Sequence, residues 1–165
     1  MNTFREADHP RGGNPGNPGQ FAYKANKEAE RSLDDYDPLE GLNVDERINL
    51  AADPNAPAEV LAQLSGDEDS SVRRRVARNL NAPAEILTRL SEDKDPEVRW
   101  GIAENPNAPA EILTRLSEDE DPEVRWGIAE NPNAPAEILT RLSEDKDPEV
   151  RLAAQQALQA RANAN

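Results

Sequence analysis

The sequence predicts an all-α solenoid of tandem 26-residue, two-helix repeats behind a disordered N-terminal tail. Three observations carry that reading. Residues 81–106, NAPAEILTRLSEDKDPEVRWGIAENP, recur at 107–132 with one change, Lys94 becoming Glu120, and residues 133–151 repeat the first nineteen positions unchanged. Asn55, Asn81, Asn107 and Asn133 open Asn-Ala-Pro-Ala-Glu at the same spacing, and Arg47, Arg73, Arg99, Arg125 and Arg151 form a second series, so repeat structure runs from about residue 44 onward. Finally, each unit holds two short apolar-periodic segments separated by proline. Units of this size cannot bury an apolar face alone and complete their core by stacking on neighbours.

Taken in order, residues 1–40 form the leader. RGGNPGNPGQ is rich in Gly, Pro and Asn, and KANKEAERSLDDYDP is charged with few apolar anchors, a composition that predicts disorder. Phe21 and Tyr23 are its candidate docking anchors, and 24–33 has the pattern of a nascent helix. No phosphate-binding loop is present, because GGNPGNPG contains prolines and lacks a following Lys-Ser/Thr. Residues 41–54 form an N-terminal cap: the stretch from Asp37 to Asn55 matches the second half of a unit, and Leu39, Leu42 and Val44 are expected to cover the first layer.

The repeats then occupy 55–80, 81–106, 107–132 and 133–151. Within 83–92, Pro83 suits the first helical position and Ile86, Leu87 and Leu90 share a face. Within 95–104, Asp95 caps, Pro96 takes the first turn, Glu97 complements the dipole, and Val98, Ile102 and Ala103 form the stripe. This helix is expected to end at Asn105, since Pro106 pushes its predecessor out of the α region. Such short helices depend on packing against neighbours, and the residues read as α, or α with 3₁₀ turns. From Val150 the chain turns polar (LAAQQALQARANAN), which predicts a longer, hydrophilic closing helix to 165.

Composition narrows the function classes. The chain has no cysteine, which excludes disulfides, thiol catalysis and Cys-ligated metal sites. The single histidine, His9, lies in the leader without a positioned partner, leaving histidine acid–base chemistry nothing to work with. No apolar run reaches membrane-span or signal-peptide length, so the expectation is a soluble cytoplasmic protein without membrane contact. Net charge is −14, and from residue 44 onward 25 acids face 14 bases. Direct nucleic-acid binding is disfavoured, whereas a basic protein partner, or imitation of DNA toward a DNA-binding protein, fits. A monomer is favoured. Arginine exceeds lysine 15 to 4, a compositional hint of a GC-rich genome.

Candidate chemistry is weighed the same way. The carboxylate pairs Asp93/Asp95, Asp119/Asp121 and Asp145/Asp147 stand where helix caps are needed and lack the glycine and distal glutamate of a calcium loop; no metal is expected. Arg99 and its equivalents are read as a structural ladder, pairing within their own helix or with an acid of the adjacent unit. The asparagines at 55, 81, 107 and 133 are read as satisfying turn backbone groups. Trp100 and Trp126 lie about 200° around the helix from Val98 and Val124, and the same position holds Ile48, Arg74 and Leu152. Two readings balance there: an exposed aromatic strip, or indoles that cover grooves between repeats. Gly101 and Gly127 beside them leave room at a helix-forming cost of roughly 1 kcal/mol each.

Asp-x-Asp-Pro-x-Val-Arg followed by Ile-Ala-x-Asn-Pro-Asn-Ala-Pro-x-x-Ile-Leu-x-x-Leu resembles the variant leucine-rich repeat of bacterial proteins, over about three quarters of the chain. HEAT-like repeats of the phycobilin lyase type share only the Asp-Pro-x-Val-Arg part. The resemblance implies a right-handed superhelix of alternating α and 3₁₀ helices without a sheet. A family member carries a cysteine-ligated iron–sulfur cluster ahead of its repeats; with no cysteine here, that cofactor does not transfer, and no cofactor is expected. The functional expectation is a non-enzymatic protein-interaction module or scaffold, with Trp100, Trp126, Arg74 and Leu152 as candidate partner-binding residues. The alternatives are an accessory or lyase-like protein acting on another protein and an acidic DNA decoy.

Overall fold

The computed structural model describes residues 37–164; the leader expected over 1–40, with His9, Phe21 and Tyr23, falls outside the described residues up to residue 36. The compact unit opens at Asp37, a turn before the expected boundary at 41. Leu42 N–H donates to the Leu39 carbonyl (3.1 Å) across this turn, and Gly41 takes a φ of 77°, a conformation glycine adopts without steric cost.

Two kinds of helix alternate. The longer ones are α1 (Val44–Ala52), α3 (Ser70–Arg78), α5 (Pro96–Ala103), α7 (Pro122–Glu130) and α9 (Pro148–Asn163); the shorter ones are α2 (Ala58–Leu64), α4 (Ala84–Leu90), α6 (Ala110–Leu116) and α8 (Ala136–Leu142). No strand occurs among the described residues. The alternation of α and 3₁₀ helices implied by the resemblance is not found there: both helices of each unit are α, and i→i−3 bonds are confined to their ends, as from Ile86 N–H to the Pro83 carbonyl (3.0 Å).

The caps explain the boundaries. Asp95 accepts a bond from Glu97 N–H and Pro96 is the first helical residue, as its spacing predicts; Asp121 and Asp147 act likewise on α7 and α9. Pro83 departs from expectation. It is the N-cap and not the first helical residue, with ψ at 150°, and its carbonyl receives Leu87 N–H at 3.1 Å, so that Ala84 begins α4. Proline's fixed φ is compatible with either place, and the extended ψ selects the cap. At the far end of α7, Asn131 turns extended (ψ 122°) before Pro132, the restriction a following proline imposes.

Each unit buries Leu and Ile from its short helix (Ile86, Leu87, Leu90) and Val, Ile and Ala from its long one (Val98, Ile102, Ala103). Successive long helices pack directly, α1 on α3, α3 on α5, α5 on α7 and α7 on α9, and α8 packs broadly on α9. Close approach is enforced at the glycines: a Cβ on Gly127 would lie 2.8 Å from Trp100 Cδ1 and 3.0 Å from Ala103 Cβ. At the N-terminal end Leu39, Ile48 and Leu50 pack against the core, whereas Val44, expected to join them, is 38% exposed because it opens α1 on its solvent side.

Candidate functional site

Three ladders of polar side chains cross the repeat boundaries and frame the surface on which function must be sought. The arginine ladder settles which acid each arginine reaches. Arg99 Nε donates to Asp119 Oδ2 at 2.7 Å and its Nη2 to Oδ1 at 2.9 Å, a two-point fork repeated by Arg47 on Asp67, Arg73 on Asp93 and Arg125 on Asp145. The third arm of each guanidinium holds the preceding loop, as Arg99 does at the Asp93 carbonyl (2.8 Å). Partners therefore belong to the adjacent unit and not to the arginine's own helix. The side chains of the Arg125–Asp145 pair are 4% and 9% exposed, buried enough that loss of either partner strands a charge.

These forks set the titration of the aspartates. At Asp145 the Arg125 fork is the dominant influence and holds the carboxyl below its ordinary range against the upward push of burial. At Asp93 and Asp119 burial is the strongest single influence and pushes upward, but the arginine fork, the backbone N–H two residues on and nearby positive charge together outweigh it, and both carboxyls also lie below the ordinary range. Each of the partner arginines Arg73, Arg99 and Arg125 is raised, chiefly by its hydrogen-bonded carboxylate. Asp93 also accepts Asp95 N–H (2.9 Å). Both members of each carboxylate pair thus have structural work, and among the described residues no group of three or more His, Cys, Asp or Glu could hold a metal ion.

The asparagine ladder lies at a place the sequence reading missed. Asn79, Asn105 and Asn131 are buried; Asn105 Nδ2 donates to the carbonyls of Ala77 (2.8 Å) and Asn79 (3.2 Å) in the previous unit, and its Oδ1 accepts Asn107 N–H at 2.8 Å. Asn79 and Asn131 repeat the pattern. The signal was the triplet at 79–81, 105–107 and 131–133, in which an asparagine two places before the expected one recurs with the period. The expected series does act on turn backbone: Asn107 and Asn133 donate to the Leu80 and Pro106 carbonyls at 2.7 and 2.8 Å. One period after Asn131 stands Ala157, and Arg161 of α9 supplies bonds there, to the carbonyls of Ala134 (2.6 Å) and Pro132 (2.9 Å). The third ladder runs over the short helices, where Arg89, Arg115 and Arg141 bond Ser65, Ser91 and Ser117 of the previous unit.

The candidate partner-binding residues share one row across the long helices. Arg74 on α3, Trp100 on α5, Trp126 on α7 and Leu152 on α9 occupy equivalent positions, but their surroundings differ. Trp100 is half-buried: its indole lies against Gly127, and the guanidiniums of Arg74 and Arg78 stand 5.8 and 4.7 Å from its ring centroid. Its Nε1 is the one buried side-chain polar atom among the described residues without a hydrogen-bond partner. Arg74 also pairs with Glu97 and Arg78 with Glu104, so α3 lays a cationic cover over the Glu97–Trp100–Glu104 face of α5. Trp126 and Leu152 are 36% and 56% exposed. The two readings of the tryptophans thus divide: Trp100 covers a boundary between repeats, while Trp126 opens to solvent. An open pocket of about 340 Å³ between the last two repeats is lined by the Arg125–Asp145 fork and by Arg141, which also pairs with Glu118 at 2.7 Å.

Two-helix units stacked through side-chain ladders define a helical repeat protein. Residues 99–162 match the family model described as the Leucine Rich Repeat Variant domain, which supports the resemblance carried by the repeat motif. Residues 81–98, nearly identical to 107–124, continue the same repeat. A search of curated proteins gives no match to the chain. The same holds for solved structures. No described helix is long and apolar enough to cross a membrane.

Proposed function

We propose that the chain is a non-catalytic protein-interaction module whose partner docks on the outer row of the long helices at α7 and α9. The observation that carries this reading is the change along that row: the tryptophan of α5 is covered by the protein's own arginines, while the one of α7, followed by Leu152, is left open. Repeat stacks build extended binding surfaces from such rows, and partly exposed tryptophan is enriched among residues that dominate interface energies. The acidic excess of the repeats favours a basic partner, in the cytoplasmic setting that the composition favours.

Affinity capture from host lysate with the intact chain and with a folded Trp126→Ala, Leu152→Ala variant tests the reading. A partner retained by the first and lost by the second supports docking on this row. Capture of the same partner by both removes the row from the interface.

A further inference from the structure

The protein carries, between two of its own helices, an arginine-covered acidic face whose equivalent one repeat later has no arginine. On α5 the outward face reads Glu97, Trp100, Glu104, and α3 fills it with two arginines one helical turn apart: Arg74 bonds Glu97, Arg78 bonds Glu104, and both guanidiniums stand over the indole. On α7 the same three positions hold Glu123, Trp126 and Glu130. The helix before it is now α5, which offers Trp100 where α3 has Arg74 and Glu104 where α3 has Arg78. Neither can neutralise a carboxylate. Glu123 and Glu130 accordingly form no salt bridge among the described residues and are exposed, with Trp126 between them. Leu152 extends the apolar strip onto α9, and Glu149 lies exposed one turn before it.

We propose that the Glu123–Trp126–Glu130 face is a receptor for a partner helix that presents two arginines four residues apart, the pattern Arg-x-x-x-Arg by which Arg74 and Arg78 cover α5. The chemistry is specific to guanidinium: its plane stacks on an indole while its N–H groups engage a carboxylate, which an ammonium does as a compact charge without the stacking plane. Two carboxylates flanking one ring, at i−3 and i+4 on the same helix face, set the separation of the two cations. This deepens the reading proposed above and rests on it for the location of the interface.

The test uses the full chain and a capped, alanine-rich helical peptide carrying Arg-x-x-x-Arg, with a peptide in which both arginines are glutamine as control. Binding is followed by the two indole N–H signals in NMR, each assigned through Trp→Phe variants. The expected result is a saturable shift of the Trp126 signal. It should weaken about tenfold or more in Glu123→Gln, Glu130→Gln protein, vanish with the glutamine peptide, and diminish with added salt. The substituted glutamates are solvent-exposed, and circular dichroism checks that the variant folds. Equal binding to the variant, a shift confined to Trp100, or no shift at millimolar peptide overturns the proposal. If the peptide fails while a lysate partner still requires Trp126, the arginine-helix inference is wrong and the docking row stands; if no partner requires Trp126, the row itself is wrong.

Discussion

At the scale of single residues, the strongest constraints come from groups that leave no polar atom idle. Asn105 donates two bonds and accepts one inside the stack. Asn105→Asp replaces the donor with an oxygen facing the Ala77 and Asn79 carbonyls, and we expect a loss of about 3 kcal/mol, read as a lower urea midpoint with an unchanged slope. Gly127 is constrained by space. A methyl there would meet the Trp100 indole and Ala103, and we expect Gly127→Ala to push Trp100 outward, seen as a red shift of its fluorescence in a Trp126→Phe background. The net stability change should stay within about 1–2 kcal/mol, since alanine regains helix propensity while overpacking opposes it. The next long helix carries Ala153 at that position and Trp126 opposite it in the repeat pattern, which accords with the more open Trp126. The sequence exposed the tryptophans as a choice between two readings but could not resolve it, because the choice depends on Arg74 and Arg78 arriving from the preceding helix. The same limit hid the acid partner of Arg99, twenty residues away.

At the scale of elements, nearly everything that rests on local chemistry was legible. Asp95–Pro96 marked the start of α5, Asn131–Pro132 the end of α7, and the 26-residue period placed every helix pair. The error at Pro83 was one of detail: proline fixes φ, and only the packed backbone decides ψ. Val44 misled because it is apolar at a position where the last three units have an exposed proline, Pro96, Pro122 and Pro148. The long α9 was foreseen from the polar sequence after Val150, but the role of Arg161 was not, since nothing local ties an arginine near residue 160 to carbonyls of the preceding turn. Arg161→Gln should lose its bonds to the Ala134 and Pro132 carbonyls, at about 1–2 kcal/mol. Faster amide exchange is expected in the last two turns of α9.

At the scale of the whole molecule, deleting 107–132 in register preserves the ladders. Arg99 then faces Asp145 in place of Asp119, and Asn133 follows Pro106 as Asn107 did. We expect a folded protein with unchanged helical signal per residue and a lower melting temperature, because one unit and one boundary are lost. Deletion of twenty residues from the same point, which breaks the period, should unfold the downstream part. Acid should act on the whole array at once. Asp93, Asp119 and Asp145 lie lower in the folded state than the usual unfolded value of about 3.9, so their stabilisation is present at neutral pH and is lost as pH falls through the depressed values. The urea midpoint should be nearly flat from about pH 5 to 8 and fall steeply below about pH 4, and an Arg125→Leu variant should lose part of that fall. The raised arginines keep their contribution across the ordinary pH range and weaken only in strong alkali.

Every rung of the three ladders ties a unit to its immediate neighbour, and the farthest-reaching rung described joins Arg161 to Asn131 across thirty residues. Cohesion in such a chain works like a zipper whose teeth are almost alike. An interior unit is gripped from two sides and an end unit from one, so thermal opening starts at the ends and travels inward by equal steps. The covered tryptophan of α5 sits where the zipper is last to part, and the open row of α7 and α9 sits toward one end. A partner clasping that row would therefore hold the array together as well as read it.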